Sequence, residues 1–189
     1  MQSIITCALA FVISAVAGHF IIPALRALKV GQSIREIGPT WHNSKQGTPT
    51  MGGIIFFLGI LVCVITGWGA AGQGDFTHLM VLGLSLVCGV IGFIDDFVKV
   101  KNKRNLGLTE IQKLLLQLAA AALFLILLRR TGHLTGDLYI PFANVNVSIP
   151  WALYLILSVF IIVGTVNAVN ITDGIDGLNA SVTIPVMIF

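Results

Sequence analysis

Five apolar runs, each about as long as a bilayer crossing, follow one another along this 189-residue chain and leave few folds open to it. Crossing the roughly 30 Å hydrocarbon layer takes about 20 apolar residues as a helix, and there the backbone must satisfy its own hydrogen bonds. The runs extend over about Ile4–Leu25, Met51–Trp68, Leu79–Ile94, Glu110–Leu128 and Pro150–Val169. A sixth begins near Ala180 and reaches Phe189 too soon to span. The first has neither a basic leader nor a small-residue cleavage site, so it reads as a retained span and not a secretion signal. With 56% hydrophobic residues, 10% charged residues and a mean hydropathy of +0.95, water-soluble classes are excluded. The expected fold is all-α, a polytopic helical membrane protein with five full spans and a truncated sixth. It reads as one integral membrane domain over residues 1–189, the N-terminal half of a larger protein.

The cations set the orientation. Arg26, Lys29, Arg35 and Lys45 lie between the first two runs, and Lys99, Lys101, Lys103, Arg104 and Lys113 lie around the junction of the third and fourth. That is nine of the eleven Lys and Arg on one side, which the positive-inside bias assigns to the cytoplasm. Arg129 and Arg130, at the far end of the fourth run, are the exceptions. Three polar motifs, described below, then face the cytoplasm together.

Local signals fit this layout. Thr109 with Gln112 makes a capping-box pattern at the start of the fourth span. Pro150 suits the first turn of the fifth, with Trp151 and Tyr154 in the interfacial belt. Between these spans GDLYIPFANVNVSI alternates apolar and polar residues around Ala143-Asn144, which predicts a short β-hairpin on the outer face. Cys7, Cys63 and Cys88 all sit inside apolar runs and read as packing residues. A pI of about 8.9 reflects the basic loops; without aromatic-basic interleaving it does not point to nucleic acid.

The richest motif is Asp95-Asp96 in VCGVIGFIDDFVKVKNKR, where the third apolar run meets a basic loop. A carboxylate pair at the membrane edge and at the negative end of a helix calls for a cation, a metal or water beside it. One such carboxylate can ligate Mg²⁺ while the other holds a metal-bound water or acts as a base. Lys99 is four residues from Asp95 and shares its face if the helix continues. A solvated interfacial salt bridge is the plainer alternative. A second motif, KQGTPTMGG from Lys45 to Gly53, opens the second span; its backbone N–H groups suit an anion, while tight packing at Gly52 and Gly53 is the competing explanation. The third is NAVNITDGIDGLN, from Asn167 to Asn179. Asn167 with Asn170, and Asp173 with Asp176, each share a face if helical, against the alternative of a capped inter-helix turn. His19, His42, His78 and His133 suggest no role.

At GTPTMGG, GFIDDFVKV, GLTEIQKLLLQ and NAVNITDGIDGLN the chain resembles the phospho-N-acetylmuramoyl-pentapeptide transferase family, bacterial enzymes that make lipid I. The resemblance runs through essentially the whole chain in order. It implies Mg²⁺-dependent transfer of phospho-MurNAc-pentapeptide from UDP-MurNAc-pentapeptide to undecaprenyl phosphate, with release of UMP, at the cytoplasmic face of the bacterial inner membrane. It implies catalytic roles for Asp95, Asp96, Asp173 and Asp176, with Asp95 as base or nucleophile. Lys45, Thr50, Lys99, Lys113, Asn167 and Asn170 become substrate-binding, and Asp96 and Asp173 metal-binding. The principal metal ligand is expected beyond Phe189, so the 189 residues alone are expected to be inactive. A homodimer is among the expected partners, beside the lipid bilayer. The alternatives are a transferase using UDP-N-acetylglucosamine and a transporter fragment whose carboxylates carry ions. Midplane charges would favour the transporter, and here the carboxylates gather at the rim.

Overall fold

The structure, a computed structural model, describes residues 2–27, 51–71, 77–102, 107–174 and 177–188. Its elements in order are α1 (Gln2–Ala27), α2 (Ile54–Ala71), α3 (Thr77–Asn102), α4 (Glu110–Arg130), β1 (Asp137–Ile140), β2 (Val145–Ser148), α5 (Trp151–Thr172) and α6 (Leu178–Ile188). Four of these helices, α1, α3, α4 and α5, are long and apolar enough to cross a membrane. With 18 residues, α2 lies at the lower end of the ~17–25 that a crossing takes, and the 11 residues of α6 fall short of it. Large apolar side chains such as Phe11, Phe160 and Ile171 are exposed, the pattern expected where lipid, not water, is the solvent.

The chain divides into two compact units, Met1–Lys113 and Leu114–Phe189. In the first, α1 and α2 approach closely at Gly59, where a Cβ would collide with the Ser14 hydroxyl and the Ala10 carbonyl. Small residues at a crossing let two backbones meet in a bilayer, where no hydrophobic force between helices exists. Cys63 adds a bond from its thiol to the Thr6 carbonyl, 3.2 Å away, in keeping with a packing role, and Cys7, Cys63 and Cys88 form no disulfide.

Helix α3 does not stop at Ile94, where its apolar run ends, but continues to Asn102. Asp95 and Asp96 are therefore helical, about two turns before the C-terminus, and the negative helix end is answered by Lys99 and Lys101 in the last turn. Ion pairs at i,i+3 and i,i+4 carry the helix past the point where hydrophobicity gives out.

In the second unit the buried residues of α4 are Gln117, Ala121, Leu125 and Leu128, spaced four, four and three apart as one helical stripe requires. Gln117 is polar in this stripe, and its Oε1 accepts a 2.7 Å bond from Asn167 Nδ2 on α5. The expected hairpin forms: β1 and β2 pair antiparallel from Asp137↔Ser148 to Ile140↔Val145. Its turn takes the four residues 141–144, with Asn144 in the left-handed region (φ 51°) and its Oδ1 accepting from the Tyr139 hydroxyl at 2.9 Å. Pro150 is the N-cap of α5 and not part of its first turn, and its carbonyl accepts from Tyr154 N–H.

Candidate functional site

The polar end of the first unit is organised around Asp95. This residue is 6% exposed, a depth at which a carboxylate needs partners for every oxygen. It has them. Oδ1 accepts the Leu108 backbone N–H at 2.9 Å, while Oδ2 lies 2.7 Å from Lys99 Nζ and 3.8 Å from Lys113 Nζ. Lys99 also reaches Asp96 Oδ1 at 3.1 Å, so one ammonium bridges both carboxylates. Asp96 is much more open than Asp95, its side chain 34% exposed.

Three local features hold this arrangement. The α3 helix places Lys99 one turn beyond Asp95 and Asp96. Gly107 lies so close to Asp95 that a Cβ there would collide with the carboxylate and with the Asp95 carbonyl. Thr109 and Gln112 then close the capping box in both directions, Thr109 N–H to Gln112 Oε1 at 3.1 Å and Gln112 N–H to Thr109 Oγ1 at 3.2 Å. That box starts α4 where Lys113, at its fourth position, can turn toward Asp95.

Of the residues marked in the sequence, Asp95, Asp96, Lys99 and Lys113 are thus brought together. Asn167, Asn170 and Asp173 belong to the second unit. Asn167 and Asn170 lie in the last turns of α5, and both amide hydrogens of Asn167 are engaged, one by Gln117 and one by the Val163 carbonyl at 2.8 Å. The helix ends at Thr172, and Asp173 is the exposed C-cap, its N–H bonded to the Val169 carbonyl. Lys45, Thr50 and Asp176 lie outside the described residues. In the turn before α2, Met51 adopts a positive φ of 67°. Among the described residues, a Cβ on Gly52 would meet nothing within 4 Å and one on Gly53 would touch Phe56 at 3.7 Å.

The motif GLTEIQKLLLQ by itself assigns no role to Gly107, Leu108 or Gln117. For Gln117 a signal existed, since it is a lone amide between LLL and LAAAAL. The role of Gly107 depends on a neighbour twelve residues away and has no local signature.

The donor set decides what cation the site can hold. Both oxygens of Asp95 are committed, and two ammonium groups stand within 4 Å, so a divalent ion would meet repulsion there. Asp96, open and touched by one ammonium, fits as a single carboxylate ligand of an ion otherwise held by phosphate and water oxygens. Among the described residues, no group of three His, Cys, Asp or Glu side chains gathers as a self-sufficient metal site.

Comparison with known proteins agrees with this chemistry. Residues 45–57 match a signature described as phospho-N-acetylmuramoyl-pentapeptide-transferase signature 1. Proteins of that name are similar along nearly all of the chain: 47% identical in Geobacillus kaustophilus (94% of this chain, 54% of the relative), 43% in Clostridioides difficile (97% and 56%) and 43% in Bacillus subtilis (92% and 53%). The chain spans about half the length of the curated relatives it matches. The model of glycosyl transferase family 4 covers residues 78–189, from the start of α3 onward, and so takes in Asp95 and every partner just described. Matched by that model over more than half of its length, this chain belongs to glycosyl transferase family 4.

Proposed function

We infer that this chain carries part of the catalytic machinery that transfers phospho-N-acetylmuramoyl-pentapeptide from its UDP carrier to undecaprenyl phosphate, giving lipid I and UMP. The observation that carries the reading is Asp95, buried at the end of a membrane helix and held by Lys99 and Lys113. Such a group of charges fits a diphosphate and suits no apolar ligand.

In this reaction an oxygen of the polyprenyl phosphate attacks the sugar-bearing phosphorus, and the bond from that phosphorus to the bridging oxygen breaks as UMP leaves. Such a transfer requires positioning and charge stabilisation more than covalent help from the protein. Lys99 and Lys113 supply two positive charges to the phosphates. Asp95 fixes where those charges stand and, once a phosphate draws the lysines away, becomes free to take the proton of the acceptor phosphate. The four charges of Asp95, Asp96, Lys99 and Lys113 cancel, so the lysines alone do not neutralise a bound diphosphate. Magnesium at Asp96, with Asp173 as a second ligand in the reading from the family, would supply the remaining positive charge. Asp176, Asn170, Lys45 and Thr50 complete the proposed substrate cleft. The bias of Lys and Arg toward one side supports a cytoplasmic site in the bacterial inner membrane, and the bilayer-length helices suit a lipid acceptor.

The test is UMP release by a full-length protein carrying this sequence, given undecaprenyl phosphate and either UDP-MurNAc-pentapeptide or UDP-N-acetylglucosamine. Magnesium-dependent release with the first donor is the expected result. Release only with the second would reassign the donor, and release with neither would end the transferase reading.

A further inference from the structure

The far end of α4 carries a second cationic feature that the transferase reading leaves unused. Arg129 and Arg130 close that helix, 16 and 17 residues after Lys113, or about 25 Å at 1.5 Å per residue. They therefore lie most of a bilayer thickness along α4 from Lys113. They are also the two cations that break the one-sided distribution of all the others.

Capping the helix does not explain them. Its final carbonyls are already used: Thr131 N–H bonds the Leu127 carbonyl, Gly132 N–H that of Arg129, and His133 N–H that of Leu128. The Thr131 hydroxyl reaches the Leu127 and Leu128 carbonyls as well, and Gly132 adopts the positive φ of 80° that such an ending favours. Ion pairing does not explain them either, because among the described residues neither arginine contacts a carboxylate. Instead the Arg129 guanidinium lies 4.0 Å from the centroid of the Trp151 ring, and Trp151 stacks on Tyr154 at 5.8 Å. Ile126, Arg129, Arg130 and Trp151 line an open groove of about 510 Å³.

We propose that this groove binds the phosphodiester headgroup of an anionic phospholipid in the leaflet that the C-terminal end of α4 reaches. A guanidinium fork matches two phosphate oxygens, and its stacking on Trp151 holds it ready while leaving its edge free. Tryptophan and tyrosine at a helix start belong at headgroup depth. Below the groove, Leu123 and Leu127 on α4 and Leu153 and Ile156 on α5 are exposed apolar surface where acyl chains can lie. That surface selects a lipid over a free phosphate.

The test takes the purified chain in nanodiscs or detergent with phosphatidylglycerol or phosphatidylcholine added, and reads retained lipid by native mass spectrometry. About tenfold preference for phosphatidylglycerol is expected, because both lipids carry the phosphodiester but only phosphatidylcholine brings a trimethylammonium that repels the two arginines. It should be lost in R129Q/R130Q and largely kept in R129K/R130K. Equal retention of the two lipids by the parent, or undiminished preference in R129Q/R130Q, overturns the proposal. So does displacement of the lipid by millimolar inorganic phosphate, which would show a free-anion site. A second measurement avoids any dependence on the arginine variants folding. The fluorescence component lost in W151F should be quenched more strongly by brominated phosphatidylglycerol than by brominated phosphatidylcholine at equal mole fraction, and equal quenching refutes the site. None of these readouts involves UMP release, so failure here leaves the transferase reading intact.

Discussion

Leu108, two residues before α4, donates its backbone N–H to the carboxylate of Asp95 on α3 at 2.9 Å. The approach is possible because the preceding residue, Gly107, has no side chain to collide with Asp95. A backbone turn, a capping box and two lysines are thereby tied to one buried acid.

Gly107→Ala should therefore displace the turn from Asp95. An overpacked site of this kind typically loses about 1–3 kcal/mol. The expected result is a lower melting temperature in detergent together with reduced UMP release by a full-length protein carrying the change. Unaltered values of both would show that the neighbouring groups yield without consequence.

Asp95→Asn keeps the shape of the side chain and removes the charge that gathers Lys99 and Lys113. Turnover of the full-length protein should fall by about 10²-fold or more, the scale on which a lost proton acceptor is felt, while the amount of membrane-inserted protein changes little. A variant with parental turnover would refute the assigned role.

Magnesium titration separates the two adjacent acids. With Asp96→Asn, half-maximal UMP release should need about tenfold more magnesium or above, as loss of a ligand requires. In Asp95→Asn the loss should persist at saturating magnesium. If both variants recover fully at high magnesium, the two acids share one metal role.

Gln117 and Asn167 offer a test of packing without charge. Asn167→Leu leaves the buried Gln117 amide without its 2.7 Å partner, and Gln117→Leu does the reverse. A double-mutant cycle read by thermal unfolding should show coupling of about 1 kcal/mol, the usual size for a bond between helices in a membrane protein. Strict additivity would mean that the bond contributes nothing.

What could be read in advance follows from range along the chain. The Thr109–Gln112 box, the Asp95–Lys99 spacing and the alternation that makes the hairpin all depend on residues within a few positions of each other, and all three appear. The end of α3 was harder to place, because the apolar run stops at Ile94 while ion pairs and the helix dipole extend the helix to Asn102. Hydrophobicity marks where lipid ends, which is a different boundary from where hydrogen bonding ends. The contacts of Gly107 with Asp95 and of Gln117 with Asn167 depend on residues 12 and 50 positions apart. Composition and spacing carry no record of such meetings.

The crossing of α1 and α2 has a bearing on how the protein is made. The Ser14 hydroxyl of α1 lies against Gly59 of α2, and the Cys63 thiol of α2 bonds the Thr6 backbone carbonyl of α1, so these polar atoms are met within the pair. Both helices precede α3 in the chain and so leave the ribosome before it. They can dock as a self-contained hairpin before any later segment emerges, giving nascent α3 a finished wall to settle against.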